Sequence, residues 1–296
     1  MSFMKNLSEG KLYFIYNGIM RISSLIPDKM YLKMRFKART GRKLNLKNPV
    51  TFNEKLQYLK LYDRKPEYTL MADKAEVKKL VASKIGSKYI VPALGVWDKF
   101  EDIDLSSLPD RFVLKCTHDS GSVFVIPDKS KADFNEIGRK IKISLSRNYY
   151  YAKREWPYRN IKPRILAEEF LEEDTGKALN VYKIFTFGGK PYLIQTIQND
   201  KKKDETIDYF DTSWKLLELR QNFPNSKKPL DKPQNLDVML ELAAKLSEGM
   251  SHIRVDFYDV NGKVYFSEYT FYSDGGMAVF TPPKWDKILG DKIVLK

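Results

Sequence analysis

Apolar residues recur at helical spacing in some stretches of the chain and in short extended runs in others. Residues 11–40 read as two helices, parted at Ser23-Ser24 and Pro27, and in the second Lys29, Lys33 and Lys37 repeat every four residues along one face. Residues 51–62 set Phe52, Leu56, Leu59 and Leu61 among polar positions, and Thr51-Phe52-Asn53-Glu54 opens them with a capping box. A third helical stretch, 72–84, is entered at Asp73. Beyond it the pattern mixes: 89–92 and 111–115 read as strands, 122–126 as a returning strand and 134–147 as a helix. A second block begins at 164–171. It continues with a hairpin, 181–187 and 190–196, around Gly188-Gly189, and a polar excursion at 199–205; a helix at 236–248 and a hairpin at 253–270 follow. Hairpins with helices to one side predict an α+β fold, not a doubly wound parallel sheet.

Composition narrows the class. With 296 residues, 43% hydrophobic and 13% aromatic, the chain can bury a sizeable core and is not a disordered protein. No window nears the ~18 uninterrupted apolar residues of a membrane span, and Lys5, Glu9 and Lys11 precede an apolar stretch broken by Asn17, so no cleaved secretory signal is expected. A single cysteine, Cys116, forms no internal disulfide and suits a reducing compartment. The net charge is +14, and residues 1–47 contribute most of it, with eleven Lys or Arg against Glu9 and Asp28. Such a segment suits nucleic acid, an anionic membrane surface or an acidic glycan, and also a plain solvated helix face.

Three motifs carry chemistry. In Phe112-Val113-Leu114-Lys115-Cys116 a lysine sits in an apolar strand, and Thr117-His118-Asp119-Ser120-Gly121-Ser122 follows as a small-residue loop whose N–H groups can approach phosphates. The competing reading of Lys115 is a gatekeeper on an edge strand. His118 lacks a second His or Cys at ligand spacing, which argues against zinc. In the last hairpin, Arg254 and Asp256 face Glu268 and Thr270 across Asn261-Gly262. A three-residue loop starting at Val260 would put Arg254, Asp256, Phe266, Glu268 and Thr270 on one face, whereas a strict two-residue turn would part Asp256 from Glu268. Third, the run 147–159 interleaves Tyr149, Tyr150, Tyr151, Trp156 and Tyr158 with Arg147, Lys153, Arg154 and Arg159, and reads as a substrate-side element.

In this order the motifs resemble the ATP-grasp superfamily, and more closely its TupA-like, teichuronopeptide-biosynthesis branch, found with bacterial surface-polysaccharide genes. Carrying that closer likeness are Phe52-Asn53-Glu54-Lys55-Leu56-Gln57, Lys60-Leu61-Tyr62-Asp63-Arg64, Asp73-Lys74, Val113-Leu114-Lys115 with His118-Asp119-Ser120-Gly121-Ser122, Asn148-Tyr149-Tyr150-Tyr151 with Arg154-Glu155-Trp156-Pro157, and Arg254-Val255-Asp256. The resemblance implies two α+β subdomains enclosing ATP: a basic helical segment at 1–50, helices and a first subdomain at 51–163, and a second subdomain with the metal hairpin at 164–296.

It further implies that Lys74 and Lys115 contact ATP phosphates beneath a loop of Ser120, Gly121 and Ser122. Glu168, Glu169, Phe170 and Leu171 would run past the adenine, and Lys183 would touch the nucleotide. Asp256 and Glu268 would hold Mg2+, and Arg254 would steady the transferred phosphoryl group. Thr270 stands where many relatives have Asn. The implied activity is ATP-dependent carboxylate–amine ligation through an acyl phosphate, releasing ADP and phosphate. Its expected partners are an acidic glycan or lipid-linked polysaccharide acceptor and a small amine or amino acid, without nucleic acid. The expected place is the cytoplasm, with the enzyme peripheral at the inner face of the membrane. Two other classes compete, a glycosyltransferase, for which the only Asp-x-Asp is Asp102-Ile103-Asp104, and a non-enzymatic polyanion-binding protein.

Overall fold

The computed structural model describes residues 23–174, 179–200 and 202–295. The first helix expected from the sequence, before Ser23, lies outside them. Helix α1 (Asp28–Thr40) presents Leu32 and Phe36 to a small core completed by Leu44, Leu46 and Met277. Helix α2 (Phe52–Tyr62) begins as expected: Thr51 Oγ1 accepts from Glu54 N at 3.3 Å, and the Glu54 carboxylate accepts from Thr51 N at 3.1 Å. Helices α3 (Glu67–Ala72) and α4 (Glu76–Ile85) replace the single stretch expected at 72–84, because the chain turns at Asp73, whose carboxylate accepts from Ala75 N and Glu76 N.

A four-stranded antiparallel sheet follows, with β1 (Ala93–Trp97), β2 (Phe112–Cys116), β3 (Val123–Ile126) and β4 (Ile165–Glu169) in the order β1-β4-β2-β3. The strand expected at 89–92 is instead a 3-10 turn at Ser87–Tyr89 and a single bridge from Ile90 to Phe266, with β1 starting after Pro92. In β2, Phe112, Leu114 and Cys116 point into a core with Ile126, Ile141 and Ile165 beneath helix α5 (Phe134–Leu145), so Lys115 takes the opposite face. As β2 lies between β4 and β3, the edge-strand reading of Lys115 does not hold.

The second sheet has the order β10-β9-β5-β6-β7, formed by β5 (Val181–Phe187), β6 (Lys190–Gln198), β7 (Thr206–Asp211), β9 (His252–Val260) and β10 (Lys263–Thr270). Gly188 and Gly189 both have positive φ, as a two-residue β5–β6 turn requires. Strand β7 was not read from the sequence. A short pair, β8 (Arg220–Gln221) with β11 (Phe280–Thr281), lies beside it. Helices α2, α3, α4, α7 (Leu236–Leu246) and α8 (Lys284–Lys292) bury their apolar faces in one large core with this sheet. Helix α6 (Tyr150–Lys153) is the short element between α5 and β4.

The fold is α+β, as expected, and its described residues form two larger antiparallel sheets and the short β8–β11 pair. The division at 163/164 does not follow the sheets. Strand β4 hydrogen-bonds on both sides within the first sheet, and α2 packs into the core of the second. Among the described residues no helix is long and apolar enough to cross a membrane.

Candidate functional site

A cleft of about 420 Å³ is walled on one side by the first sheet and α4, and on the other by β5, β9 and β10. On the first wall Lys78 and Lys115 both form ion pairs with the Glu168 carboxylate. Register explains the second pair: Val113 lies opposite Glu168 and Lys115 opposite Leu166, so the two side chains share a face one step apart. Burial pushes Glu168 up, but Lys115 and Lys78 outweigh it and hold the carboxyl below the usual glutamate range. Burial depresses Lys115 as well, and Glu168 reverses the effect, raising it. Lys78 remains below the usual lysine value because burial outweighs Glu168.

The loop after β2 returns tightly, with Cys116 N donating to Ser122 O at 3.0 Å. Gly121 has φ +110°, a conformation side chains resist. Lys74 is tied to this loop twice, by its N–H to Thr117 O at 3.1 Å and by its ammonium to Asp119 O. Arg164 secures the neighbouring residue, donating to Asp73 and Glu76 at 2.9 Å each. His118 is buried, with Nε2 at 3.0 Å from Ser144 O, a structural placement.

The opposite wall is the hairpin. Asn261 and Gly262 both have positive φ and Val260 pairs with Lys263, so the turn has two residues. That turn alone would send Asp256 and Glu268 to opposite faces. A bulge at Ser267 shifts the register, pairing Phe266 with Phe257 but Glu268 with Asp256 and Thr270 with Arg254. The carboxylates therefore meet for a reason other than the expected three-residue loop, and Phe266 lies opposite Phe257 instead of in the carboxylate row. Arg254 grips Asp256 with both arms, Nε to Oδ1 at 2.7 Å and Nη2 to Oδ2 at 2.6 Å, while Nη2 also donates to Thr270 at 2.8 Å and lies 3.7 Å from Glu268. Burial drives the Asp256 carboxyl up despite Arg254. Burial would lower Arg254, but Asp256 and Glu268 raise it. Lys183, opposite Asp256 on β5, is depressed by burial and by Arg254.

Of the residues singled out from the sequence, Lys74, Lys115, Ser120, Gly121, Glu168, Lys183, Asp256 and Glu268 line the cleft. Arg254 and Thr270 join it through their hydrogen bonds to the hairpin carboxylates. Four side chains do not reach the wall. Ser122 is turned to Asp119 and Ser144. Glu169 points away from Glu168 by strand alternation and is exposed. Phe170 lies under the Arg111 guanidinium at 4.3 Å, and Leu171 follows β4 outside the cleft. Sequence reasoning missed Lys78, Arg164, Asp200 and Tyr258. Lys78 had a signal, lying four residues after Lys74 in the helix expected at 72–84.

Part of the aromatic-basic run is structural. The buried Arg154 pairs with Asp28 at 2.9 Å and lies 4.1 Å from the Tyr31 ring, fastening α1 to the body. Asp104 accepts from Ser106 in an exposed connection outside the cleft, which leaves a glycosyltransferase metal motif unsupported.

Among the described residues no three His, Cys, Asp or Glu side chains gather as a metal cluster. Asp256 and Glu268 do fit magnesium carrying nucleotide phosphates, which takes one or two carboxylates and completes its shell with phosphate oxygens and water.

The sequence matches the TupA-like ATP-grasp family model over residues 54–294. No curated protein matches. Among solved structures, similarity extends to an ATP complex of D-alanine–D-alanine ligase from Bacillus anthracis, 14% identical, covering 68% of this chain and 54% of that one at a TM-score of 0.41. The same ligase from Helicobacter pylori is 17% identical, covering 82% of this chain and 69% of that one at 0.40. A RimK domain protein ATP-grasp from Sphaerobacter thermophilus DSM 20745 is 13% identical, covering 76% of this chain and 69% of that one at 0.41. The chain thus spans little more than half the length of the Bacillus ligase. The assignment rests on the match over most of the sequence: the chain belongs to the TupA-like ATP-grasp family.

Proposed function

We propose that the protein is an ATP-dependent carboxylate–amine ligase that helps build or decorate an acidic polymer of the bacterial cell surface, acting in the cytoplasm. The observation that carries this reading is the cleft itself, with a lysine-lined wall and a tight glycine loop facing two carboxylates joined by an arginine. Phosphates would lie against Lys74, Lys115 and the N–H groups of Ser120 and Gly121. Asp256 and Glu268 would hold magnesium, which when bound neutralises phosphate charge.

An acceptor carboxylate oxygen attacks the γ-phosphorus, the bond to the β-bridging oxygen breaks and ADP leaves. Arg254, fixed by Asp256 and Thr270, meets the charge on the phosphoryl oxygens. An amine nitrogen then attacks the acyl carbon, phosphate departs and the nitrogen loses a proton, leaving an amide. Positioning and electrostatics do the work, so no nucleophilic side chain is needed. Hydroxylamine tests the class. With ATP, magnesium and a productive carboxylate, a hydroxamate should form without the native amine, together with ADP. A stable phosphate ester on the acceptor with no hydroxamate refutes the proposal.

A further inference from the structure

The stretch Phe52-Asn53-Glu54-Lys55-Leu56-Gln57 and the nearby Lys60 carry the family likeness but take no part in lining the cleft. Their spacing along α2 puts Asn53, Gln57 and Lys60 on one face, and all three are fully buried. A face that served packing alone would carry apolar groups, because burying a polar side chain is unfavourable unless it is hydrogen-bonded. Each of the three bonds to one element, the turn after β10. Asn53 Nδ2 donates to Ala278 O at 2.9 Å, and Asn53 Oδ1 accepts from Ala278 N at 3.0 Å. Gln57 Nε2 donates to Gly275 O at 2.9 Å and to Gly276 O at 2.7 Å. The Lys60 ammonium donates to Gly275 O at 2.7 Å and to Lys153 O at 3.1 Å. Gln57 Oε1 is buried with no hydrogen-bond partner among the described residues, so the turn alone orients that amide.

The turn is one that needs holding. Asp274, Gly275 and Gly276 follow one another with φ of +50°, +64° and +64°, a left-handed run that L residues resist. A Cβ on Gly276 would stand 2.4 Å from Gln57 Nε2 and 2.8 Å from Leu56 Cβ, so the turn lies directly on the helix. Its first residue, the buried Ser273, accepts from Arg254 Nη1 at 3.4 Å, and the Asp274 carboxylate is among the groups that raise Arg254. The other side-chain partners of Arg254, Asp256 and Thr270, belong to its own hairpin. Among the described residues, Ser273 is thus the hydrogen-bond partner that ties the Arg254 side chain to a part of the molecule outside that hairpin.

We propose that α2 is the template for this turn, and that Asn53, Gln57 and Lys60 are positioning residues that set the Arg254 guanidinium through Ser273 without touching nucleotide or metal. The consequence for catalysis rests on the ligase reading, in which Arg254 meets the charge on the phosphoryl oxygens. A left-handed turn persists only where its surroundings dictate it, and here the polar face of α2 does so. A shift of the turn moves Ser273, and a small misplacement of a charge-stabilising group lowers the rate steeply. Lys60 shows that this face is not built for stability. Burial lowers its pKa to about 7, Lys153 and Arg35 act in the same direction, and the buried Glu155 opposes them. An apolar side chain of similar volume would avoid that desolvation.

The test reads Arg254 directly, from its Nε–H signal in proton–nitrogen spectra of the nucleotide-free full chain, assigned by its loss in Arg254→Lys. Two variants release the turn: Gln57→Met, and Lys60→Met combined with Glu155→Gln so that no buried carboxylate is stranded. Lys55→Met is the control, because Lys55 lies on the same helix but donates to Gly290 O and Ile293 O instead, both at 2.8 Å. The Arg254 signal should shift in the two turn variants and stay in place in the control, whatever each does to Tm. ATP turnover should fall at least about tenfold in the turn variants and by less in the control. An unmoved signal in a folded turn variant, or an equal shift in Lys55→Met, overturns the proposal. A shift confined to the turn variants, in a parent that takes no ATP, supports the template and removes the ligase reading instead.

Discussion

Replacing Lys115 with methionine tests the cleft, since the change keeps the stem and removes the charge. The Lys115 side chain is 17% exposed and that of Glu168 is 7% exposed, so the pair is largely out of water. Losing one partner of a buried ion pair costs about 3–5 kcal/mol when the other charge is stranded. Here Lys78 still pairs with Glu168, so about 2 kcal/mol is expected, or a Tm lower by roughly 4–8 °C for a chain of this size. The pH dependence has a definite sign. A carboxyl held low in the folded state adds stability above its ordinary range and loses it as pH falls through the folded value. Lys115→Met forfeits part of that, so its deficit in urea denaturation should be larger at about pH 7 than at about pH 4. Independently, ATP affinity by calorimetry should fall at least about tenfold, ~1.4 kcal/mol, through loss of a charge-assisted phosphate contact. A folded variant with unchanged ATP affinity would refute the assignment of Lys115 to phosphate.

Glu268→Gln should nearly abolish ATP turnover with little loss of stability, since its side chain is 43% exposed; Asp256→Asn should abolish turnover and also destabilise, because it releases the grip of the buried Arg254. Near-parental turnover in Glu268→Gln would remove that residue from the metal hypothesis. His252, whose pKa burial lowers from 6.5 to about 4, folds neutral and protonates more readily unfolded. Its contribution is thus full above pH 6.5 and lost as pH falls toward about 4, roughly 3 kcal/mol over the window. His252→Gln should flatten stability against pH there, and an unchanged slope would contradict the buried neutral form. On α1, Met30 and Met34 are 50% and 57% exposed beside Lys29, Lys33 and Lys37, so the full chain should sediment with phosphatidylglycerol-containing vesicles and not with phosphatidylcholine alone. Equal sedimentation with both, or with neither, would count against membrane docking.

Local chemistry made much of this legible. The capping box at Thr51 and Glu54, the turns at Gly188-Gly189 and Asn261-Gly262, and the apolar run around Lys115 each depend on residues near in sequence, and each appears in the fold. Failures arose where distant chain decides. Strand β4 reads as the start of a new block because sequence cannot show that both its edges pair with strands that come before it. Strand β7 follows a polar excursion with no turn dipeptide to announce it, and gains its place by pairing with β6. Phe170 and Leu171 continue the apolar run of β4, but pairing ends at Glu169 and the run ceases to be strand. Arg154 stands among aromatics like a ligand-binding residue, yet Asp28 and the Tyr31 ring, both more than a hundred positions earlier, claim it.

The β9–β10 hairpin shows the limit most sharply, because two rules legible in sequence conflict there. Asn261-Gly262 favours a two-residue turn, and strand parity then places Asp256 and Glu268 on opposite faces; the chemistry wants them together. The unpaired Ser267 resolves the conflict by adding one residue to one strand, which flips everything after it. The turn therefore sets the early register and the bulge sets the late one, and the site belongs to the late one. Arg254 then pairs with Thr270 and binds Asp256, so one displaced residue aligns both carboxylates and the arginine at once. A similar economy holds on the facing wall, where Glu168 occupies two lysines. On the proposed function, incoming phosphates would meet cations that are already oriented but already satisfied, so binding would be an exchange of anions. The affinity that results would be the difference between phosphate and Glu168, not the sum of the new contacts.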